Sequence, residues 1–422
     1  MTAAAASITP LWLDVDPGHD DAFAILLAAH NPHVRLLGVS TVHGNASLEH
    51  TTQNGLSILE AIGRREIPLY PGASKPLERD AVHAASIHGE SGLDGTTIMP
   101  KPVRAAVRDV DCVEAMYKAL IATPPKSAWL VATGTLTNAA RVINEHPELA
   151  EHLKGFSIMG GAIGGGFTDA PLGKVAGEGE RFGNWTPYAE FNIYVSLPQI
   201  CCQVVVPECP TSLPLLKFSS KSATQKNLTT SQCDPEAAQF LLTHPVIAPK
   251  TTIMPLDVTH QCLGTPSVQT KLLGLPNGIP ARDAASKPLP TPVRALFHEI
   301  MTFFAKTYAE EFALTAGPPL HDPLAVAATF APDIFDDRGE RFSVRVVTEG
   351  EHRADPALNL ADAQAVGQLG RTLVEKVEGD GVRIPRTLDV ERFWGLIDAA
   401  LAEAEKASPL PGLTADWWKT RF

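Results

Sequence analysis

Leu11 to Ala29 read LWLDVDPGHDDAFAILLAA, and within them DVDPGHDD packs four aspartates, Asp14, Asp16, Asp20 and Asp21, into eight residues. Like charges this close repel, and each raises its neighbours' pKa. A bare cluster would sit in water on a mobile loop. Here apolar residues bracket it: Ile8, Leu11, Trp12 and Leu13 before, and Ala22 to Ala28 after. A short apolar run, a Pro-Gly turn and a longer apolar run predict strand, loop and helix. The acids then fall at the C-terminal end of a strand, where open α/β sheets bind ligands. Capping the helix needs one or two carboxylates, not four. A divalent cation offsets the charge most economically, and carboxylate oxygens suit calcium or magnesium. His19, set among the acids, reads as a local hydrogen-bonder.

The same alternation continues outward. VRLLGVSTV (34–42) predicts a strand ending in His43-Gly44-Asn45, and 47–62 a helix. IPLYPGA (67–73) is a short strand and turn, 111–122 a helix, SAWLVATG (127–134) a strand and LTNAARVINEHPEL a helix. FSIMGGA (156–162) is a further strand. The fold class is therefore α/β, an open and mostly parallel (mixed) sheet with helices on both faces, forming one domain over 8–422. Polar or Gly residues gather just after each strand, so one sheet edge collects them.

Bulk properties exclude several classes. A net charge of −12 and a pI near 5.6 argue against nucleic acid as the main partner. No apolar run approaches the ~18 residues of a membrane span. MTAAAASITP has no basic or apolar leader region, which reads as no secretory signal and a cytoplasmic protein. Six cysteines without a paired CxxC pattern read as free thiols. No GxxxxGK[ST] and no GxGxxG after a strand occurs, so phosphate-loop and dinucleotide chemistry are not expected.

Four further segments carry chemistry. GTLTNAA (134–140) is a Gly turn and helix start with a loop carbonyl available to a metal. GNWTPYAEFNIY (183–194) ends in alternation that predicts a half-buried strand, with Glu190 and Asn192 on one face. An acid and an amide side by side suit a polyhydroxylated ligand such as a sugar. GPPLHDPLAVAATF (317–330) repeats the opening logic: Asp322 would complete a cation site, and His321 is a candidate general acid. SIHGESGLDG (86–95) is a Gly-rich loop carrying His88.

DVDPGHDDAFAILLA, TVHGN, HGESGL, GTLTNAA, IMGGA, GN…TP.AEFN and GPPLHDPLAVA follow one another in an order that resembles the inosine-uridine preferring nucleoside hydrolase family, over roughly Leu11 to Phe330. The resemblance implies a Rossmann-like open α/β fold, a tightly bound Ca2+ and hydrolysis of the N-glycosidic bond of ribonucleosides to base and ribose. Residue by residue, it implies that Asp16 and Asp21 bind calcium, with the Thr137 carbonyl and Asp322 closing the site. Asp16 would be the general base for the attacking water, and His321 would protonate the leaving base. Asp20, Asn45, Asn184, Glu190 and Asn192 would hold the ribose, while His88 and Met159 line the pocket. Asp14 would support the cluster. In FHEIMTFFAKTYAEEF (297–312), Tyr308 is a base contact only if that aromatic face is not simply core. Family members are commonly homodimers or homotetramers.

Two stretches depart from the pattern. PNGIPARDAASKPLPTPV (275–292) reads as an exposed loop. Val195 to Gln232 has no Asp, no Gly and no periodicity, and a structureless run of that length is foreign to a compact domain. Without it the flanks join as AEFNIYCDPEAAQF, a continuous family segment. It opens Val-Ser, which GTAAGT or GTGAGT could encode, and closes on Gln, which CAG could encode. These are intron boundaries, so the segment reads as a translated retained intron. Sequencing the spliced transcript tests this; a mature message holding all 114 nucleotides, three for each of 38 residues, would contradict it. Two alternative functions follow: a nucleoside-binding homologue impaired by the insert, and an aspartyl phosphohydrolase using DVD, against which Pro17-Gly18 and the EFN and HDP motifs speak.

Overall fold

The computed structural model describes residues 8–78, 85–175, 181–184, 186–193, 234–274, 289–349, 369–414 and 416–417. The 195–232 segment lies outside them, as do residues 275–288 of the expected loop; Pro292 already opens a helix.

The opening stretch folds as β1 (Thr9–Val15), buried at every position, followed by α1 (His19–His30). Five more strands join β1: β2 (Val34–Thr41), β3 (Leu69–Pro71), β4 (Trp129–Ala132), β5 (Gly155–Met159) and β6 (Thr251–Met254). Their order is β3-β2-β1-β4-β5-β6, and every pairing is parallel. The sheet is thus not mixed. The antiparallel pairs form two separate ribbons, β7 (Phe335–Asp336) with β10 (Thr387–Leu388), and β8 (Arg341–Val346) with β9 (Thr372–Val377).

The helices after α1 are α2 (Leu48–Ala61), α3 (Ala85–His88), α4 (Cys112–Ile121), α5 (Thr137–Glu145), α6 (Glu148–His152), α7 (Pro235–Thr243), α8 (Leu256–Thr259), α9 (Pro266–Leu272), α10 (Pro292–Phe312), α11 (Asp322–Phe330) and α12 (Val390–Ala407). They cover both sheet faces because strand side chains alternate. Leu11, Leu13 and Val15 join the core built with α1, α2, α10, α11 and α12. Trp12 faces the other core, built with α4, α5, α6 and α7. Helix α1 is apolar nearly all round because it is enclosed, packing against α11 and α12. None of the described helices is long and apolar enough to cross a membrane. Cys112 and Cys262 are buried free thiols.

Asp14 shares the Trp12 side and stays out of the ligand cavity. Its Oδ1 accepts from the Ser40 hydroxyl at 2.5 Å and from Asn138 Nδ2 at 2.9 Å, while Trp12 Nε1 donates to Ser40 at 2.9 Å. This network ties β1, β2 and α5 together behind the acid cluster. Burial pushes the Asp14 carboxyl up to about 7.

Candidate active site

Strand order reverses between β1 and β4, and that switch point opens a crevice at the carboxyl ends of the strands. The loops after β1, β2 and β4 meet there. Asp21, in the first turn of α1, accepts at Oδ2 from the Gly18 N–H at 2.9 Å and Asn45 Nδ2 at 3.0 Å. Its Oδ1 accepts from the Thr133 hydroxyl at 3.0 Å and the Asp16 N–H at 3.3 Å. Asp16 accepts the Asn45 N–H at Oδ2, 2.9 Å away. Its Oδ1 is buried without a hydrogen-bond partner. Asp322, the first residue of α11, brings the third acid: oxygens of Asp20, Asp21 and Asp322 lie within 4.8 Å of one another.

These carboxylates are held in a place that disfavours their charge. Burial above all, then mutual repulsion, pushes Asp16 and Asp322 well above the carboxylate range and Asp20 up to about 8. Burial raises Asp21 too. The N-termini of α1 and α11 both face the cluster and favour negative charge, but by only ~0.3–1 kcal/mol each. Among the described residues no Lys, Arg or His forms an ion pair with Asp16, Asp20, Asp21 or Asp322. An unpartnered buried carboxylate oxygen beside three clustered acids fits a hard divalent cation, and an all-oxygen donor set fits it chemically.

Above the acids lies a cavity open to solvent. Asp20, Asn45, His88 and Met159 line it, as do Asn184, Glu190, Asn192, His321 and Asp322. Residues separated by some 300 positions thus converge on one space, as the motifs imply. Asp16 and Asp21 are one hydrogen bond behind it, through Asn45. Thr137 does not reach the site. As the first residue of α5 it donates its hydroxyl to Asp234 at 2.9 Å, and its carbonyl belongs to the helix ladder. Thr133, four residues earlier, lines the cavity and touches Asp21 instead.

The strand expected over 183–194 is absent from its described residues, which form turns with one isolated bridge, Ala189 to Arg371. Side chains replace the ladder. Glu190 accepts the Gly161 N–H at Oε2 and the Asn192 N–H at Oε1, both 2.9 Å. Asn192 Nδ2 donates to the Thr133 carbonyl at 2.7 Å, and Asn184 accepts the Phe191 N–H at 3.0 Å. Such local side-chain bonds compete with strand pairing. They also fix three polar side chains in the cavity lining. Burial holds Glu190 up to about 7.

Phe304, Tyr308 and Phe312 follow at spacing four on α10 and add aromatic rings to the cavity lining. Sequence spacing marked this face as core, and it is both core and cavity lining. Tyr308 Oη sits 2.8 Å from His321 Nε2, and Thr259 Oγ1 sits 2.7 Å from His321 Nδ1. Burial, with His260 and His88 nearby, holds the His321 pKa well below normal, so its ring is neutral at physiological pH. His19 is buried at the start of α1, against His88.

Gly44 approaches the cluster so closely that a Cβ there would overlap Asp16 Oδ2. Gly44→Ala is expected to cut turnover by roughly 10²-fold or more through displaced Asp16, given the sensitivity of catalysis to misplacement. Steady-state assays beside circular dichroism check this; full turnover with an alanine there would contradict the packing.

The family model for inosine-uridine preferring nucleoside hydrolase matches residues 11–196 and 231–395. The unmatched residues between the blocks fall inside the 195–232 segment. Uridine nucleosidase of Saccharomyces cerevisiae is 32% identical over 411 residues, covering 95% of this chain and 98% of that one. Pyrimidine-specific ribonucleoside hydrolase RihA of Escherichia coli is 32% identical over 343 residues, covering 81% and 86%. Among solved structures, a purine-preferring ribonucleoside hydrolase from Gardnerella vaginalis superposes with a TM-score of 0.66 at 24% identity, covering 94% of this chain and 99% of that one. At that identity the likeness shows the fold. With a parallel sheet, a switch-point acid cluster and a polar cavity all in place, the chain belongs to the inosine-uridine preferring nucleoside hydrolase family, enzymes that hydrolyse the N-glycosidic bond of ribonucleosides.

Proposed function

We propose that the protein is a calcium-dependent hydrolase of pyrimidine ribonucleosides, with uridine favoured. The observation that carries the reading is one cavity lined by buried acids, by the polar side chains of Asn45, Asn184, Glu190 and Asn192, and by aromatic rings. The pyrimidine preference draws on the near-full-length yeast relative and the bacterial ones, whose names specify uridine or pyrimidines.

Asp16, Asp21 and Asp322 would hold calcium, with Asp20 beside them and a main-chain oxygen from the loop after β4. When bound, the ion supplies a coordinated water of lowered pKa and a grip on ribose hydroxyls. Asp16 would serve as the base for the attacking water; its Oδ1 has no protein partner. Asp20, Asn45, Asn184, Glu190 and Asn192 hold the sugar. As the C1′–N bond breaks through an oxocarbenium-like state, these fixed carboxylates stabilise the developing charge without reorganising. The Tyr308 hydroxyl, 2.8 Å from His321 Nε2, would carry a proton to the departing base, and His321, neutral at rest, would replace it only after taking up a proton itself, because a neutral ring that gave one would be left as imidazolate.

Incubation with uridine, cytidine, inosine and a phosphate monoester, with and without chelator, tests the reading. Reducing sugar from uridine supports it; phosphate release or binding without turnover would refute it in favour of the two alternatives. The 195–232 segment is dispensable on this reading. Joining Tyr194 to Cys233 is expected to leave kcat/KM for uridine equal to or above that of the full chain; complete loss would make the segment functional.

A further inference from the structure

His19 plays no part in the mechanism above, yet it is fully buried against His88, which lines the cavity. Its ring is parallel to those of Phe303 and Phe304, within 4°, at centroid distances of 4.9 and 5.5 Å. Both ring nitrogens have neighbours. Nε2 lies 2.9 Å from the Asp94 carbonyl oxygen, and Nδ1 lies 3.1 Å from His88 Nδ1.

A carbonyl can only accept, so His19 Nε2 carries hydrogen. A neutral ring then has its lone pair on Nδ1. Two facing nitrogens 3.1 Å apart need one proton between them, so His88 Nδ1 is the donor. The His19 backbone N–H also points at His88 Nδ1, from 3.4 Å. That longer contact would suit the opposite arrangement, but only if the His19 ring carried two protons. The ring-to-ring contact is the shorter of the two, and the His19 ring lies against Phe303 and Phe304 with no carboxylate hydrogen-bonded to it among the described residues to hold a second proton. With Nδ1 protonated, neutral His88 has a bare Nε2. This nitrogen has no protein partner among the described residues, and the His88 ring lines the cavity.

We propose that His19 is a positioning residue that fixes the tautomer of His88, so that His88 offers an unprotonated Nε2 to accept a hydrogen bond from an N–H or O–H of the bound nucleoside. That half of the inference naming the ligand rests on the proposed function; the tautomer does not. His88 is then a reader of a donor, not the acid for the leaving base. Two groups of uridine supply such a donor at opposite ends: the base N3–H and the ribose 5′-hydroxyl.

Histidine NMR of uniformly folded enzyme, selectively 15N-labelled and assigned by loss of signals in His88→Gln, reads the tautomer without any turnover. The expected spectrum has His88 Nδ1 protonated and Nε2 bare; a protonated Nε2 would overturn the proposal. His19→Phe removes the acceptor, and is expected to shift His88 towards the other tautomer and raise KM roughly tenfold with kcat little changed, the loss of about one hydrogen bond. His19→Asn places Oδ1 on the same Cγ as the lost Nδ1 and should recover both readouts. An unchanged His88 tautomer in His19→Phe would overturn the positioning role. If that variant does not fold, the spectrum of the unaltered enzyme still decides the tautomer. For the ligand, 3-methyluridine and 5′-deoxyuridine are compared in the parent and in His88→Phe. The analogue lacking the recognised donor should bind more weakly to the parent and lose no further affinity in the variant. Coupling with neither analogue would overturn the recognition, while failure to hydrolyse any nucleoside would instead count against the proposed function.

Discussion

Asp16→Ala is expected to lower kcat/KM for uridine by roughly 10³-fold or more while leaving the metal-free fold no less stable than the parent's. The two halves have one cause. Asp16 Oδ1 is buried without a partner, and its carboxyl is raised well above normal, first by burial and next by Asp21. Removing it relieves repulsion in the empty cluster but takes away both the proposed base and a metal-facing oxygen. Asp16→Asn keeps the shape and one acceptor, and should be nearly as inactive. Steady-state kinetics beside thermal melts in chelator test this. Near-normal turnover in Asp16→Ala would refute the metal-site assignment, and collapse of the chelated fold would show that the carboxylate is structural.

The second large effect is the pH dependence of stability without metal. Asp20 is raised to about 8, and Asp14 and Glu190 to about 7, all chiefly by burial. In the unfolded chain such groups titrate near ~4. The folded state therefore binds more protons between these limits, and its stability rises as pH falls from 8. Buried histidines oppose this lower down. His19, His260 and His298 are held near 4, so folding excludes protons that the unfolded chain binds below ~6.5. Three raised acids and three lowered histidines nearly cancel towards pH 5, so chelated protein is expected to gain stability as pH falls from 8 to about 6 and to change little from there to pH 5. Calcium should reverse the alkaline limb, because it binds the deprotonated acids. At about 1,000 times its Kd it adds ~4 kcal/mol. Melting curves over pH 5 to 8, with chelator and with calcium, check the slope above pH 6 and its reversal by the ion. A chelated protein most stable at pH 8 would contradict the burial of these charges.

Much of this architecture was legible because strong local signals agree. The Pro-Gly turn between β1 and α1, the runs at 34–42 and 127–134, and the polar residues after each strand all point to one edge of a parallel sheet. The departures have physical causes. The alternation in 183–194 mimics a strand, but Glu190, Asn192 and Asn184 bond main-chain groups and hold the segment in turns. The motif points to Thr137; only the start of α5 shows that Thr137 is turned into the helix while Thr133, which the sequence does not single out, faces the acids. Phe304, Tyr308 and Phe312 carry a helical core pattern, and nothing in spacing separates a wall of the core from a wall of a cavity. The role of His19 depends on the Asp94 carbonyl, a backbone group 75 residues away that no motif marks.

The most direct test is to measure calcium occupancy and uridine hydrolysis on the same samples. Protein dialysed against chelator is titrated with calcium while bound metal and released ribose are followed together. One ion per chain is expected, with hydrolysis rising in proportion to occupancy, and neither is expected in Asp21→Ala or Asp322→Ala. Undiminished hydrolysis in the metal-free protein, or full calcium binding by both variants, would contradict the central role of the acid cluster.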